Sequence, residues 1–213
     1  MGCLAPGSPD EALHHGRCLF DGTHIALQWT GLPFEAELVS HSDIKSDRYL
    51  KINPAGGVPA LALDGDDVIV QNIAILQLVS ESAPDANLMG KTPRERAETM
   101  RWLAHLNSDV HKSFVRVFGP GQFADDAAGK ELASNKAKEK LHELFGAIDK
   151  HLEGKDWLAN GRRSIADPYL FVVLRWARGK GVDLSGMDNL ARFSEHMGSD
   201  ADVKSVLKAE CLS

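Results

Sequence analysis

Asn53 to Leu78 reads NPAGGVPALALDGDDVIVQNIAILQL. Asn53-Pro54-Ala55-Gly56-Gly57 is turn chemistry, because Pro fixes φ and Gly admits φ above zero. Ala60 to Leu63 reads as a short strand, Asp64-Gly65-Asp66-Asp67 as a hairpin tip of the Asp-Gly kind, and Val68 to Val70 as the return strand. Gln71-Asn72 then opens a helix in which Ile73, Leu76 and Val79 recur at helical spacing.

Pro59 cannot donate to a ladder, so it belongs at a strand's first position or edge. An X-Pro bond there can be cis, which turns the N–H and C=O of Val58 outward as a short edge for a peptide. Gln71 and Asn72 stand at a helix N-terminus, where free N–H groups and the helix dipole favour a carboxylate. An edge beside an anion cradle suits a small peptide with an α-carboxylate. The same residues are equally compatible with a bare hairpin-helix stiffened by proline.

The pattern Asn53-Pro54-x-Gly56-x-Val58-Pro59-Ala60-Leu61, then Gln71-x-x-Ala74-Ile75, resembles the glutathione-binding half of the cytosolic glutathione transferases. The resemblance implies a thioredoxin-like α/β domain. Val58, before a cis-Pro59, would pair with the cysteinyl backbone of glutathione, and Gln71 and Asn72 would hold its γ-glutamyl end. Asn72 departs from the Ser or Gly usual in that family, but Asn is a competent helix cap.

Outward from this stretch, His24 to Thr30 (HIALQWT) reads as a helix ended by Gly31, and Phe34 to Val39 (FEAELV) alternates like a strand. Arg48 to Ile52 reads as a short helix. Met1 to Gly22 has several breakers and no clean alternation. Its first-strand candidates are Cys3-Leu4-Ala5 and Cys18-Leu19-Phe20. Ser82 to Asn87 is loop chemistry. With the resemblance, the chain divides into a thioredoxin-like domain over 1–81, a linker over 82–92 and an all-α domain over 93–213.

In the second part, Trp102, Leu106, Val110, Phe114 and Phe118 form one buried stripe on a helix running from Pro93 to Phe118. Lys130 to Glu153 is a second long helix, with Leu132, Leu141, Leu144, Phe145, Ile148 and Leu152 inward. Ser164-Ile165-Ala166-Asp167 matches the Ser/Thr-x-x-Asp/Glu capping box ahead of an apolar run from Tyr169 to Ala177. It is a folding device rather than a catalytic dyad. The same box is a hallmark of the transferases' helical domain, so the resemblance spans nearly everything after His24. Leu190 to His196 and Ala201 to Cys211 read as short amphipathic helices.

Asn107 and His111 lie four apart, hence on one helix face, with Lys112 adjacent. By themselves they read as a surface patch. His111-Lys112-x-Phe114 also resembles the bacterial beta class, in which this His and Lys line the cleft facing glutathione's thiol and the second substrate. An Asn that reaches across the dimer in that class is Ala104 here. The class also has Pro-Gly-x-Cys-Ser after its first strand. Pro6-Gly7-Ser8 resembles its start, but Pro9 replaces the Cys. Cys18 is then the candidate nucleophile, since a thiolate near a helix N-terminus is stabilised; the other reading is an inert small residue in a strand.

The chain has 213 residues and a formal charge of -6, with a pI near 5.8. A nucleic-acid partner would need a clustered basic face, which is not present in the pattern. No run of about 18 apolar residues is present to span a membrane, and no signal peptide is expected at the N-terminus. Three cysteines make no even framework, which favours a reducing, cytoplasmic setting. The nine histidines show no zinc-type spacing, and no G-x-x-x-x-G-K-S/T loop occurs. The expected protein is a homodimeric glutathione transferase conjugating glutathione to small hydrophobic electrophiles, with no metal. The alternatives are a glutathione-dependent thiol-disulfide reductase using Cys18, and a non-catalytic glutathione-binding scaffold.

Overall fold

The computed structural model describes residues 20–40, 42–63 and 67–210. They divide into two compact units: one takes in residues up to Met89 and those from Gly198 on, the other runs from Gly90 to Met197. Cys3, Cys18, Cys211, the first-strand candidates up to residue 19 and the hairpin tip at 64–66 lie outside the described residues, while Phe20, expected at the end of a strand, is helical.

In the first unit, α1 (Phe20–Thr30) ends at Gly31, whose φ of 67° a side-chain-bearing residue rarely adopts. Its Ile25 and Ala26 are fully buried. A short helix α2 (Asp47–Ile52) starts where Ser46 Oγ accepts the Tyr49 N–H. Strands β1 (Ala60–Ala62) and β2 (Val68–Val70) pair antiparallel, with Ala60 opposite Val70 and Leu61 opposite Ile69. Helix α3 (Asn72–Ser82) follows, and it packs against both the hairpin and α1. Its interior residues are Ile75, Leu76 and Val79, while Ile73 is only half-buried. Each such apolar side chain contributes roughly 1.5–3 kcal/mol by leaving water.

The segment Phe34 to Val39 is not a strand. No ladder joins it to any described residue, and its phase is inverted: Glu37 is 8 % exposed while Leu38 is 41 % exposed. Glu37 faces inward because Arg48 Nη2 donates to its Oε1 at 3.1 Å. The alternation of FEAELV is genuine, but an ion pair decides which face is buried.

The second unit is all α among the described residues. Thr92 caps α4 (Pro93–His105): its Oγ1 accepts the Glu95 N–H, and Glu95 Oε2 accepts the Thr92 N–H. The Thr92 N–H, with Arg162 and the Lys91 N–H, holds the Glu95 carboxyl down to about 2. The helical path continues as a π-helical segment, Leu106–His111, and then α5 (Lys112–Phe118). Of the expected stripe, Trp102, Leu106, Val110 and Phe114 are buried, and Phe118 at its end is half-buried. Helix α6 (Ala127–His151) buries Leu141, Phe145 and Ile148. Leu132, expected inward, is 56 % exposed. It precedes Leu141 by about two and a half turns at 3.6 residues per turn, so it points the opposite way.

Helix α7 (Ala166–Gly179) is buried over nearly its whole length. It starts at the expected capping box. Asp167 Oδ2 accepts Ser164 N–H and Ser164 Oγ–H, each at 2.7 Å, and Oδ1 accepts the Leu158 N–H at 2.8 Å. Ser164 Oγ in turn accepts the Ala166 N–H. Burial pushes the Asp167 carboxyl up to about 7, while these donors pull the other way. Helix α8 (Asp188–Ser199) follows, and α9 (Ala201–Ala209) then returns to the first unit, packing on α1. The seam includes a His24 Nδ1–Glu210 Oε1 pair at 2.7 Å, both side chains buried. Sequence patterning alone groups α9 with the helical half.

Replacing Asp167 with Ala strands three buried donors, so Asp167→Ala is expected to lower stability by about 3 kcal/mol or more. Ser164→Ala should cost about 1 kcal/mol. Urea-unfolding midpoints of the variants check both, and equal midpoints would contradict the assignment of the cap.

Candidate active site

The turn ahead of β1 is braced at one carbonyl. Tyr49 Oη–H and Asn53 Nδ2–H both donate to Gly57 O at 2.7 Å, and Asn53 Oδ1 accepts the Ala55 N–H at 3.1 Å. Gly56 has φ of 59°, and a Cβ there would sit 3.1 Å from Ile44 O, so Gly is the residue that fits. The Val58–Pro59 peptide bond is cis. Among the described residues, no hydrogen bond involves the Val58 N–H or carbonyl.

The register places the other candidates alongside. With Ala60 opposite Val70, Pro59 and Gln71 stand at the same end of the hairpin. Gln71 is exposed and has φ of 74°, a backbone state disfavoured for any residue with a Cβ. Its carbonyl takes the first helical bond, from the Ile75 N–H at 3.0 Å, so the Asn72, Ile73 and Ala74 N–H groups lie ahead of the ladder. Asn72 is 5 % exposed, yet neither its Oδ1 nor its Nδ2 has a hydrogen-bond partner. A buried amide in that state costs about 1–3 kcal/mol per unpaired group. The structure thus brings Val58, Pro59, Gln71 and Asn72 to one end of one hairpin.

The second constellation lies wholly in the other unit. Tyr169 Oη donates to Asn107 Oδ1 at 3.0 Å, and His111 Nδ1 is 2.9 Å from the same hydroxyl. The His111 ring lies edge-on to Trp176 at 5.1 Å, and Phe114 and Phe118 pack edge-on to that indole at 5.5 and 5.2 Å. Burial holds the His111 imidazole below its ordinary 6.5 and pushes the Tyr169 phenol upward. Asn107 and His111 sit within the π-helical segment, a form found often where helices carry function. Lys112, beside His111, is exposed. Asn107 and His111 therefore meet, as their spacing implies, through a residue that the sequence pattern assigned only to the core. The signal for Tyr169 was its hydroxyl, since a phenol in an apolar helix must find a partner. Among the described residues no group of three His, Cys, Asp or Glu is arranged to hold a metal ion.

Two family models divide the chain between them. Residues 21–82 match the glutathione S-transferase N-terminal domain, and residues 95–200 match the glutathione S-transferase C-terminal domain. The chain belongs to the glutathione S-transferase family. It is 44 % identical over 191 residues to glutathione S-transferase GST-4.5 of Xanthomonas campestris, covering 89 % of this chain and 93 % of that one. A glutathione S-transferase structure from Xylella fastidiosa superposes with a TM-score of 0.88 at 42 % identity, covering 93 % and 96 % of the two chains. A beta-class glutathione S-transferase from Sphingomonas chungbukensis gives 0.81 at 35 % identity, with the same coverage. The expected fold is the family's, a thioredoxin-like domain with a helical one, and the protein is a transferase with glutathione as co-substrate. No helix among the described residues is long and apolar enough to cross a membrane.

Because burial lowers the His111 value, the folded protein stays neutral where the unfolded chain takes a proton. The stabilising contribution is complete above about 6.5 and is lost as pH falls toward and through the depressed folded value. His111→Gln removes that dependence. Thermal midpoints from pH 7.5 to 5 should fall more steeply for the wild type than for His111→Gln; parallel curves would contradict the burial argument.

Proposed function

We propose that the protein conjugates glutathione to small hydrophobic electrophiles, holding the tripeptide at the hairpin end that carries Val58, Pro59, Gln71 and Asn72. The observation that carries this is Asn72. Its buried amide needs both a donor and an acceptor, and it stands at a helix mouth whose leading N–H groups favour a carboxylate. The γ-glutamyl end of glutathione, with an ammonium and a carboxylate, supplies both. The Val58 backbone offers the complementary edge for the cysteinyl peptide unit.

In the reaction, the glutathione sulfur forms a bond to the electrophilic carbon. The leaving group departs with its bonding pair, or the carbon skeleton takes that pair in an addition. The thiol proton passes to a base. His111 is the proposed base, with Lys112 and Asn107 beside it, and the half-buried Phe118 ring, which packs on the buried Trp176, suits an apolar second substrate. Cys18 remains the candidate for a mixed disulfide with glutathione. We further propose a cytoplasmic homodimer, since a reduced tripeptide requires a reducing compartment.

Glutathione should raise the melting temperature of the folded protein, and glutathione resin should retain it. Asn72→Ala separates binding from folding. Removing an unsatisfied buried amide should leave the ligand-free melting temperature unchanged or higher, while glutathione affinity falls at least about tenfold, or about 1.4 kcal/mol. Calorimetric titration reads the affinity. Undiminished binding by Asn72→Ala would remove this site.

A further inference from the structure

We infer that Tyr169 and Asn107 act as positioning residues that fix the tautomer of His111, because one buried hydroxyl lies 3.0 Å from Asn107 Oδ1 and 2.9 Å from His111 Nδ1. A phenol has a single proton to give. Tyr169 spends it on the Asn107 oxygen, so toward His111 the phenol oxygen can only accept. The Nδ1 of His111 therefore carries the ring proton, and the neutral imidazole presents its lone pair at Nε2. No described residue hydrogen-bonds that Nε2. Tyr169 is fully buried, so water does not compete for its hydroxyl.

The inference rests on the proposed use of His111 as base, and it specifies which atom does the work. A thiol proton moves to Nε2, leaving thiolate and an imidazolium. The Nδ1–H bond to Tyr169 persists through that step, so the ring need not turn. The proton then passes from Nε2 to solvent or to the departing group, which restores the starting tautomer. Were the proton on Nε2 instead, that nitrogen would have no lone pair to offer. The Trp176 edge contact at 5.1 Å and the Tyr169 bond together fix the plane of the ring.

Asn107 makes the idea testable without disturbing the core, because it is exposed whereas Tyr169 is not. In Asn107→Ala the Tyr169 proton loses its acceptor and is free to turn to Nδ1, which moves the ring proton to Nε2. In Asn107→Asp an acceptor oxygen remains and Nδ1 stays protonated. Nitrogen-15 NMR of the full-length protein at pH 8 reads the tautomer directly, with the His111 signals identified by their loss in His111→Gln.

The expected result is Nδ1–H in the wild type and Asn107→Asp, and Nε2–H in Asn107→Ala. Asn107→Ala should also lose about tenfold or more in kcat with KM for glutathione unchanged, and Asn107→Asp should restore kcat. An Nε2–H wild type, or a tautomer that ignores Asn107→Ala, overturns the inference. So does a tautomer swap that leaves kcat untouched. The NMR signals need neither glutathione nor turnover. If the wild type fails to bind or turn over glutathione, the functional reading falls and takes the catalytic part of the inference with it. If the wild type turns over but shows the wrong tautomer, the inference alone falls.

Discussion

Asp167 has no exposure to solvent, and both of its oxygens are taken by donors from its own neighbourhood. Leu158 comes from the chain before the helix, Ser164 from its mouth, and the carboxylate stands in the first turn. The three bonds fix where α7 begins and in which direction it leaves. Two residues further on stands Tyr169, so the cap also sets where that hydroxyl points. Everything gathered around His111 depends on that placement. A buried carboxyl pushed up to about 7 would ordinarily mark a catalytic acid. Here its acceptors are all used locally, and it belongs to the folding machinery.

The first unit solves the same problem at a carbonyl. Gly57 O receives two side-chain donors, one from α2 and one from the turn. That pins the residue before Val58, and the hairpin register then carries the position across to Gln71. The placing groups, Tyr49 and Asn53, are both buried and both partnered. The groups they place, the Val58 backbone and the Asn72 amide, are not hydrogen-bonded within the described residues. Support and site are chemically distinct sets.

What the sequence discloses follows from how local the determining interaction is. The Asn53-Pro54-x-Gly56 turn, the hairpin pairing, the Gly31 stop and the Ser164 cap are each settled within a few residues, and each is found where the pattern puts it. Thr92-x-x-Glu95 was just as local, and its capping box follows from the same rule. Phe34 to Val39 misleads because its buried face is chosen by Arg48, a partner outside the stretch. Leu132 misleads because an apolar residue near a helix start looks inward until the phase is counted to Leu141. Tyr169 could not be assigned its task, since its partners lie 58 and 62 residues away.

Some departures from ordinary backbone and burial rules coincide with the proposed site, while others, such as the positive φ of Asn87 and Asn160 and the unpaired Glu37 Oε2, lie apart from it. Gln71 has a positive φ, Asn72 is buried without a partner, and Leu106–His111 is π-helical. By contrast the capped starts of α2, α4, α6 and α9 obey the rules throughout. Each departure costs on the order of 1–3 kcal/mol, and such a cost persists only where surrounding structure over-determines it. The Gly57 clamp does so for the hairpin end, and the Asp167 cap with Tyr169 does so for the π-helical segment. At these two places firm local bonding adjoins strained or unpaired residues, which is the pattern expected where a local rule is broken for function rather than for folding.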